Sequence, residues 1–138
     1  MVTTNRLDRL EQLTAQEKPF FLAISPFAPH VGFQEKKPSH RPVPQQRHNE
    51  KFPNAKAPRT PNFNPADEYQ STKGGWVKNL PKMNESAVGF ADFVFRSRAQ
   101  ALVGVDEIIE DVVGLLEDKG VIDNTYSKPD ASLTKRIN

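Results

Sequence analysis

The chain has 138 residues, a formal net charge of +2 and a hydrophobic fraction of 36%. This fraction is below the ~45–50% typical of globular domains and argues against one compact core along the whole length. The absence of cysteine excludes disulfides, thiolate metal sites and cysteine nucleophiles from this chain. The start, MVTTNRLDRLEQ, lacks the apolar core of a signal peptide, and no run approaches the ~18 apolar residues of a membrane span. We expect no membrane partner and no nucleic-acid partner.

The first elements are a short helix and a buried strand. Leu7, Leu10 and Leu13 recur at three-residue spacing, which predicts an amphipathic helix from Arg6 to Gln16. Pro19 then breaks the helix, and Phe20–Ser25 is apolar without alternation. A continuous apolar run of this length is typical of a strand covered on both faces in an α/β sheet.

A proline-rich connection follows, because ten of the twelve prolines lie between Pro26 and Pro81. A connection of this length is far beyond the usual ~4–6 residues and is often functional or covers a partner. Trp76 is predicted to anchor it, while His40 and His48 are interpreted as solvated loop residues. The connection is also basic. The simpler explanation of this charge is the solubility of a long loop, and the alternative is a surface for a polyanion partner such as a sulfated glycan. The positive residues of its basic stretch, from Lys36 to Arg59, are Lys36, Lys37, Arg41, Arg47, Lys51, Lys56 and Arg59.

The strongest pattern predicts a long amphipathic helix from Glu85 to Lys119, with apolar residues at steps of three or four. Gly120 suits the left-handed position that ends a helix, and Asp123–Thr125 predicts a turn. The residues after Tyr126, SKPDASLTKRIN, are polar and patternless. Asn84-Glu85-Ser86 fits an N-glycosylation sequon, although sequons are frequent by chance and no signal peptide precedes it.

One buried strand and one long helix cannot close a core, because a sheet needs several strands. The sequence therefore predicts a piece of a larger α/β domain.

Several blocks of residues resemble the sulfatase family. Lys18–Leu22 followed by Ala28–His30 is similar to the family's strand that ends in an Ala-Pro-His turn. Arg96–Glu107 resembles its long helix, and Asp123–Tyr126 resembles the turn after that helix. Ala57–Asn64, together with the tryptophan at position 76, is similar to the branch that contains N-acetylglucosamine-6-sulfatases and fungal-type arylsulfatases. The blocks occur in the family's order.

The resemblance implies a partial alkaline-phosphatase-like α/β fold, with residues 1–126 as part of a sulfatase catalytic domain and 127–138 as a non-matching tail. It also implies sulfate ester hydrolysis with a formylglycine nucleophile and a calcium ion. Formylglycine is made within a Cys/Ser-x-Pro-x-Arg motif; the nearest string here, Ser127–Ala131, has alanine in place of arginine. The Asp-Asp and Asp-Asn pairs that bind calcium in the family have no match either, because Asp123-Asn124 corresponds to the turn after the long helix and not to the ligand pair. We therefore assign no nucleophile and no metal ligand to this chain.

Only His30 matches an active-site position of the family, where the histidine contacts sulfate and assists the leaving oxygen. We therefore expect a fragment of a sulfuric ester hydrolase for aryl or carbohydrate sulfates that is inactive by itself. A non-catalytic module that binds a polyanion or a protein through the basic proline-rich segment is the alternative. Family members are often secreted or lysosomal, which leaves the compartment of this chain open.

Overall fold

The computed structural model describes residues 4–16, 18–31 and 41–128, and this part of the chain contains helices and no β-strand. Within these described residues there are three α-helices: α1 (Thr4–Thr14), α2 (Asp67–Gln70) and α3 (Glu85–Asp118). Short 3-10 helices span Gln46–His48, Gly75–Asn79 and Ile122–Asn124. The chain divides into two compact units, one formed by Met1–Ser25 with Asp106–Asn138 and the other by Pro26–Val105. No helix among the described residues combines the length and apolarity needed to cross a bilayer.

Both predicted helices are confirmed, and α3 ends as its sequence predicts. Gly120 adopts a φ of +66°. Its amide donates to the Glu117 carbonyl at 2.8 Å, and the amide of Val121 donates to the Leu116 carbonyl at 3.0 Å. These are the two hydrogen bonds of a Schellman motif, which satisfies carbonyls at the helix end. The Asp123–Thr125 turn is confirmed by the 3-10 helix at Ile122–Asn124.

The structure differs from the predicted buried strand at Phe20–Ser25. This segment has no strand assignment, and Phe21 is 90% exposed. Exposure alternates along it, because Leu22 and Ile24 are half-buried while Phe21 and Ala23 are exposed. A strand requires a neighbour for its backbone hydrogen bonds, and the described residues contain no other strand. The apolar run therefore has neither the backbone hydrogen bonds of a sheet nor full burial.

The first unit joins α1 to the C-terminal part of α3. Leu10 and Leu116 are each only 2% exposed, and Lys119 Nζ lies 2.8 Å from Glu11 Oε1. The hydrogen bond and charge of Lys119 lower the pKa of the Glu11 carboxyl. Both partners of this ion pair are exposed, so we attribute the cohesion of the unit mainly to the buried leucines.

The second unit holds the proline-rich connection along the first part of α3. One stripe of α3, at four-residue spacing, points at the connection, and we call it the polar stripe: Asp92, Arg96, Gln100 and Gly104. Asp92 accepts a hydrogen bond from the Ala57 amide at 3.0 Å, and the guanidinium of Arg96 donates to the Pro53 carbonyl. Gln100 Nε2 donates to the Asn49 and Lys51 carbonyls at 2.7 and 2.9 Å.

Successive members of the polar stripe thus meet successively earlier residues, so the connection runs antiparallel to α3. At Gly104 an added Cβ would lie 3.2 Å from Gln45 Nε2 and 3.9 Å from His48 Cε1. The absence of a side chain lets the connection approach the helix closely. Side chains of α3 form hydrogen bonds with backbone groups of the connection. Because the described part of the connection pairs with no strand, these groups would otherwise bond to water. This explains how the part of the connection from Gln45 to Ala57 follows one defined path along the helix.

Candidate functional site

His30 lies in a turn that its own backbone closes. The His30 amide donates to the Phe27 carbonyl at 3.0 Å, and the Ala28–Pro29 peptide bond is cis. A cis proline at the third position of a four-residue turn defines a type VI turn. The His30 and Phe27 rings lie 5.2 Å apart, inclined at 52°. Phe27 is 68% exposed, and His30 is also exposed, so the turn presents the imidazole at a surface.

The hydrogen bond of His30 determines what its ring can do. Nδ1 lies 2.9 Å from the Val31 carbonyl oxygen, and because a carbonyl only accepts, Nδ1 carries the proton. In the neutral ring Nε2 then presents a lone pair, and protonation at Nε2 makes it a donor. His30 can therefore accept a proton at Nε2 when neutral, or donate to an anionic oxygen when protonated. A sulfate oxygen or a developing alkoxide is an acceptor of this kind.

The described residues do not fit the calcium ion that the resemblance implies. Across residues 4–16, 18–31 and 41–128, no group of three or more His, Asp or Glu side chains could hold a metal. Asp123 and Asn124 are exposed and form part of the 3-10 turn after α3. Calcium needs six to eight oxygen ligands, so we derive no step through a metal. The predicted absence of nucleophile and metal ligands stays a prediction for the chain as a whole.

Two residues of the connection differ from their predicted environments. His48 is not solvated: it is 1% exposed and faces α3 at Gly104, because the polar stripe draws the connection onto the helix. Trp76 is not an anchor within the described chain, since it is 73% exposed. It follows Gly75, whose φ is +59°, at the start of a 3-10 helix. His40, Lys36 and Lys37 lie outside the described residues.

Arg59 belongs to the packing of the second unit. Its Nη2 donates to both carboxylate oxygens of Asp92 at 2.8 and 2.7 Å, and its guanidinium lies 4.3 Å from the centroid of the Phe63 ring. Arg41 similarly lies over Phe93 at 4.9 Å. Two of the positive residues that suggested a polyanion surface thus contact their own chain. The sequence signal for the contact between α3 and the connection was the four-residue spacing of Asp92, Arg96 and Gln100. This spacing also fits the solvated face of a helix.

The Arg59–Asp92 pair makes a prediction about pH. The hydrogen bonds from Arg59 lower the pKa of the Asp92 carboxyl; partial burial opposes them, and the Ala57 amide supports them. The pKa of Asp92 is lower in the folded chain than in the unfolded chain. The ion pair therefore contributes fully to folding stability at neutral pH, and this contribution is lost as the pH falls through the lowered pKa. We expect Arg59→Gln to raise the Asp92 pKa toward its usual range in a carbon-detected NMR titration.

The matched control for this titration is Lys56→Gln. Lys56 acts on Asp92 only through its charge and is the smallest of the contributions, so its removal should raise the Asp92 pKa less than removal of Arg59. An equal rise in the two variants would show that the Arg59 hydrogen bonds are not what lowers the pKa.

Comparison with known proteins finds similarity to curated sulfatases. It is 35% identical over 132 residues to Sulfatase ppz1 of Metarhizium majus (strain ARSEF 297), an alignment that covers 91% of this chain and 29% of the relative. The chain is a homologue of the sulfatases. It is also 32% identical over 136 residues to an arylsulfatase of Volvox carteri, covering 91% of this chain and 21% of the relative.

A human relative supports the same branch. The sulfatase homologue is 35% identical over 111 residues to the N-acetylglucosamine-6-sulfatase of Homo sapiens, covering 79% of this chain and 18% of the relative. The chain thus spans less than a third of the length of these curated relatives, which is consistent with a fragment. No family model matches the chain, and no solved structure matches it.

The comparisons confirm the family resemblance, and sulfatase homology implies the alkaline-phosphatase-like superfamily. The family in general uses calcium and formylglycine and acts on sulfate esters. The role of His30 and the boundaries at residues 1–126 and 127–138 are separate matters, which we treat as proposals.

Proposed function

We propose that this sulfatase homologue is part of the catalytic domain of a sulfuric ester hydrolase that acts on aryl or carbohydrate sulfate esters. The observation that carries the proposal is the similarity to named sulfatases over 91% of the chain. Residues 1–126 would form the part belonging to this domain, with residues 26–81 as its long loop and 127–138 as a separate polar tail.

In this proposal His30 contacts the sulfate group and assists the leaving oxygen. The exposed turn supports the role, because Nδ1 is directed to the Val31 carbonyl and leaves Nε2 available to a ligand. With its proton on Nε2, the ring could donate to a sulfate oxygen or to the oxygen of the departing alcohol. Such a position also agrees with the rule that α/β folds bind ligands beyond the carboxyl ends of their strands.

The placement of His30 requires Phe20–Ser25 to become a strand in the complete domain. Its alternating exposure supports this, because an extended backbone directs successive side chains to opposite sides. Phe21 is left almost fully exposed and would become covered once a neighbouring strand and further layers were present. In this proposal the segment Phe20–Ser25 forms a strand only when the rest of the sheet is present.

We further propose that the 138-residue chain is inactive by itself. Formylglycine, when present, supplies the nucleophile in sulfatases, but Ser127–Ala131 lacks the required arginine. The described residues also offer no set of ligands for a metal. His30 alone could orient a sulfate group or transfer a proton, but neither action breaks an ester without a nucleophile.

An aryl sulfate assay tests the inactivity of the chain. We expect the purified chain to release no 4-methylumbelliferone from its sulfate ester above a buffer control, with or without added calcium. Turnover that persists in His30→Ala would indicate a contaminating sulfatase and is the control for purity. Turnover that depends on His30 in the chain alone would contradict the proposed inactivity.

A heparin-binding titration separates the sulfatase proposal from the polyanion-binding alternative. The alternative predicts tight, salt-sensitive binding that is lost when Lys36, Lys37 and Arg41 are neutralised. The sulfatase proposal predicts weak binding, little changed by these substitutions. Tight binding abolished by the triple substitution, together with an inactive longer protein, would favour the binding module.

A further inference from the structure

Asn84 directly precedes α3 and is the asparagine of the only Asn-x-Ser/Thr sequence in the chain, Asn84-Glu85-Ser86. Its side-chain Oδ1 accepts a hydrogen bond from the Ala87 amide at 2.9 Å, and its carbonyl accepts from the Val88 amide at 3.0 Å. Asn84 is therefore the N-cap of α3 and satisfies one of the free amides in the first turn. This role fixes the orientation of the side-chain amide, because the accepting atom must be oxygen.

The same hydrogen bond leaves the nitrogen of the Asn84 amide available. Asn84 itself is exposed, and no acceptor among the described residues contacts Nδ2. N-glycosylation modifies this nitrogen and leaves the amide oxygen in place. A glycan on Asn84 could therefore coexist with the N-cap, since no hydrogen bond of the folded chain would have to break.

The backbone around Asn84 is both exposed and firmly held. Asn64 accepts from the Met83 amide at 2.7 Å and donates to the Met83 carbonyl at 2.9 Å, which fixes the chain one residue before Asn84. The surrounding positions are open to solvent. The exposed residues are Pro81, Lys82, Asn84, Glu85 and Ser86. The sequon thus lies at a surface loop-to-helix junction, with room for a bulky group.

We propose that Asn84 is a site of N-glycosylation in the longer protein of which this chain is proposed to be a part, so this inference rests on the proposed function. Nδ2 of Asn84 attacks C1 of the reducing-end sugar of a lipid diphosphate oligosaccharide. A bond forms between C1 and Nδ2, the bond between C1 and the diphosphate oxygen breaks, and the lipid diphosphate leaves with the electron pair. One Nδ2 proton passes to a base of the transferase. Ser86 supplies the hydroxyl that the transferase requires in the sequon.

Mass spectrometry of the protein purified from its own cells tests this site. Cleavage after Lys82 and Arg96 releases a peptide, Met83–Arg96, in which Asn84 is the only asparagine. We expect this peptide to carry a glycan that a peptide N-glycosidase removes, converting Asn84 to aspartate and incorporating heavy oxygen from labelled water. Recovery of the peptide only in unmodified form would overturn the proposal.

Two variants at Ser86 separate glycosylation from capping. Ser86→Ala destroys the sequon but leaves Asn84 and its hydrogen bond to the Ala87 amide, whereas Ser86→Thr retains the sequon. We expect complete loss of the glycopeptide in Ser86→Ala and its retention in Ser86→Thr, with equal helix content in both. A glycopeptide that survives Ser86→Ala would contradict the assignment, because the modification would then not depend on this sequon.

Discussion

Replacement of His30 by alanine in the longer protein that we propose is expected to lower kcat by about 10²–10⁴-fold, the range that a positioned proton donor contributes. The substitution removes the ring that hydrogen-bonds the Val31 carbonyl and would remove the proton delivered to the leaving oxygen. His30 is exposed, so the loss should come with little change in thermal stability. Steady-state kinetics on an aryl sulfate and a thermal scan measure both effects.

His30→Gln is the matched variant for this prediction. The glutamine amide can donate a hydrogen bond to a sulfate oxygen but cannot deliver a proton near neutral pH. We therefore expect KM to stay closer to that of the unmodified protein than in His30→Ala, while kcat remains low. Wild-type kcat in both variants would show that His30 has no part in the reaction.

The isolated 138-residue chain is expected to unfold without a cooperative transition. Only three hydrophobic residues of the described chain are buried, namely Leu10, Ala101 and Leu116. Large apolar side chains remain open, with Phe21 90% and Trp76 73% exposed. So little burial cannot offset the conformational entropy of ordering the chain. We expect a gradual loss of helical circular dichroism on heating, because α3 alone frays from its ends.

Calorimetry provides the sharper form of this measurement. A cooperative domain of this length would absorb about 100 kcal/mol at its midpoint, from a specific enthalpy of roughly 0.7 kcal/mol per residue. We expect no heat-capacity peak approaching that size, and we expect binding of a hydrophobic dye at low temperature. A single peak whose calorimetric and van't Hoff enthalpies agree would contradict this prediction.

The helices were predictable because their determinants are local. Apolar residues recur at steps of three or four along most of the 34 residues of α3, and Gly120 ends the helix through a conformation that glycine adopts freely. The predicted strand at Phe20–Ser25 is absent from the structure. A strand depends on a neighbouring strand, and the local sequence pattern carries no information about that neighbour. An apolar run indicates that a segment prefers burial, but the surrounding residues decide whether it becomes buried.

The path of the connection was not predictable from hydrophobic pattern, since it is held by polar contacts. Asp92, Arg96 and Gln100 bind backbone groups of residues about 35 to 51 positions away in sequence. Such pairings leave no periodic trace in the connection itself. The solvated interpretation of His48 and the anchoring role of Trp76 failed for this reason: composition does not show which loop residues face the helix.

For His30 the sequence predicted a candidate position from a resemblance, and the structure adds the turn and the direction of Nδ1. The remaining elements of a sulfatase site are not supplied by the described residues. A segment that spans less than a third of its relatives is expected to carry only part of such a site. The reason is that active sites of α/β domains combine the ends of several strands.

Sequencing the complete transcript that encodes this segment tests the central proposal most directly. The proposal predicts an upstream reading frame with a Cys/Ser-x-Pro-x-Arg motif and, beyond the codon for Tyr126, an apolar strand that ends in Asp-Asn. A transcript that encodes neither motif, in frame with His30, would contradict the proposal that this chain is part of the catalytic domain of a sulfuric ester hydrolase.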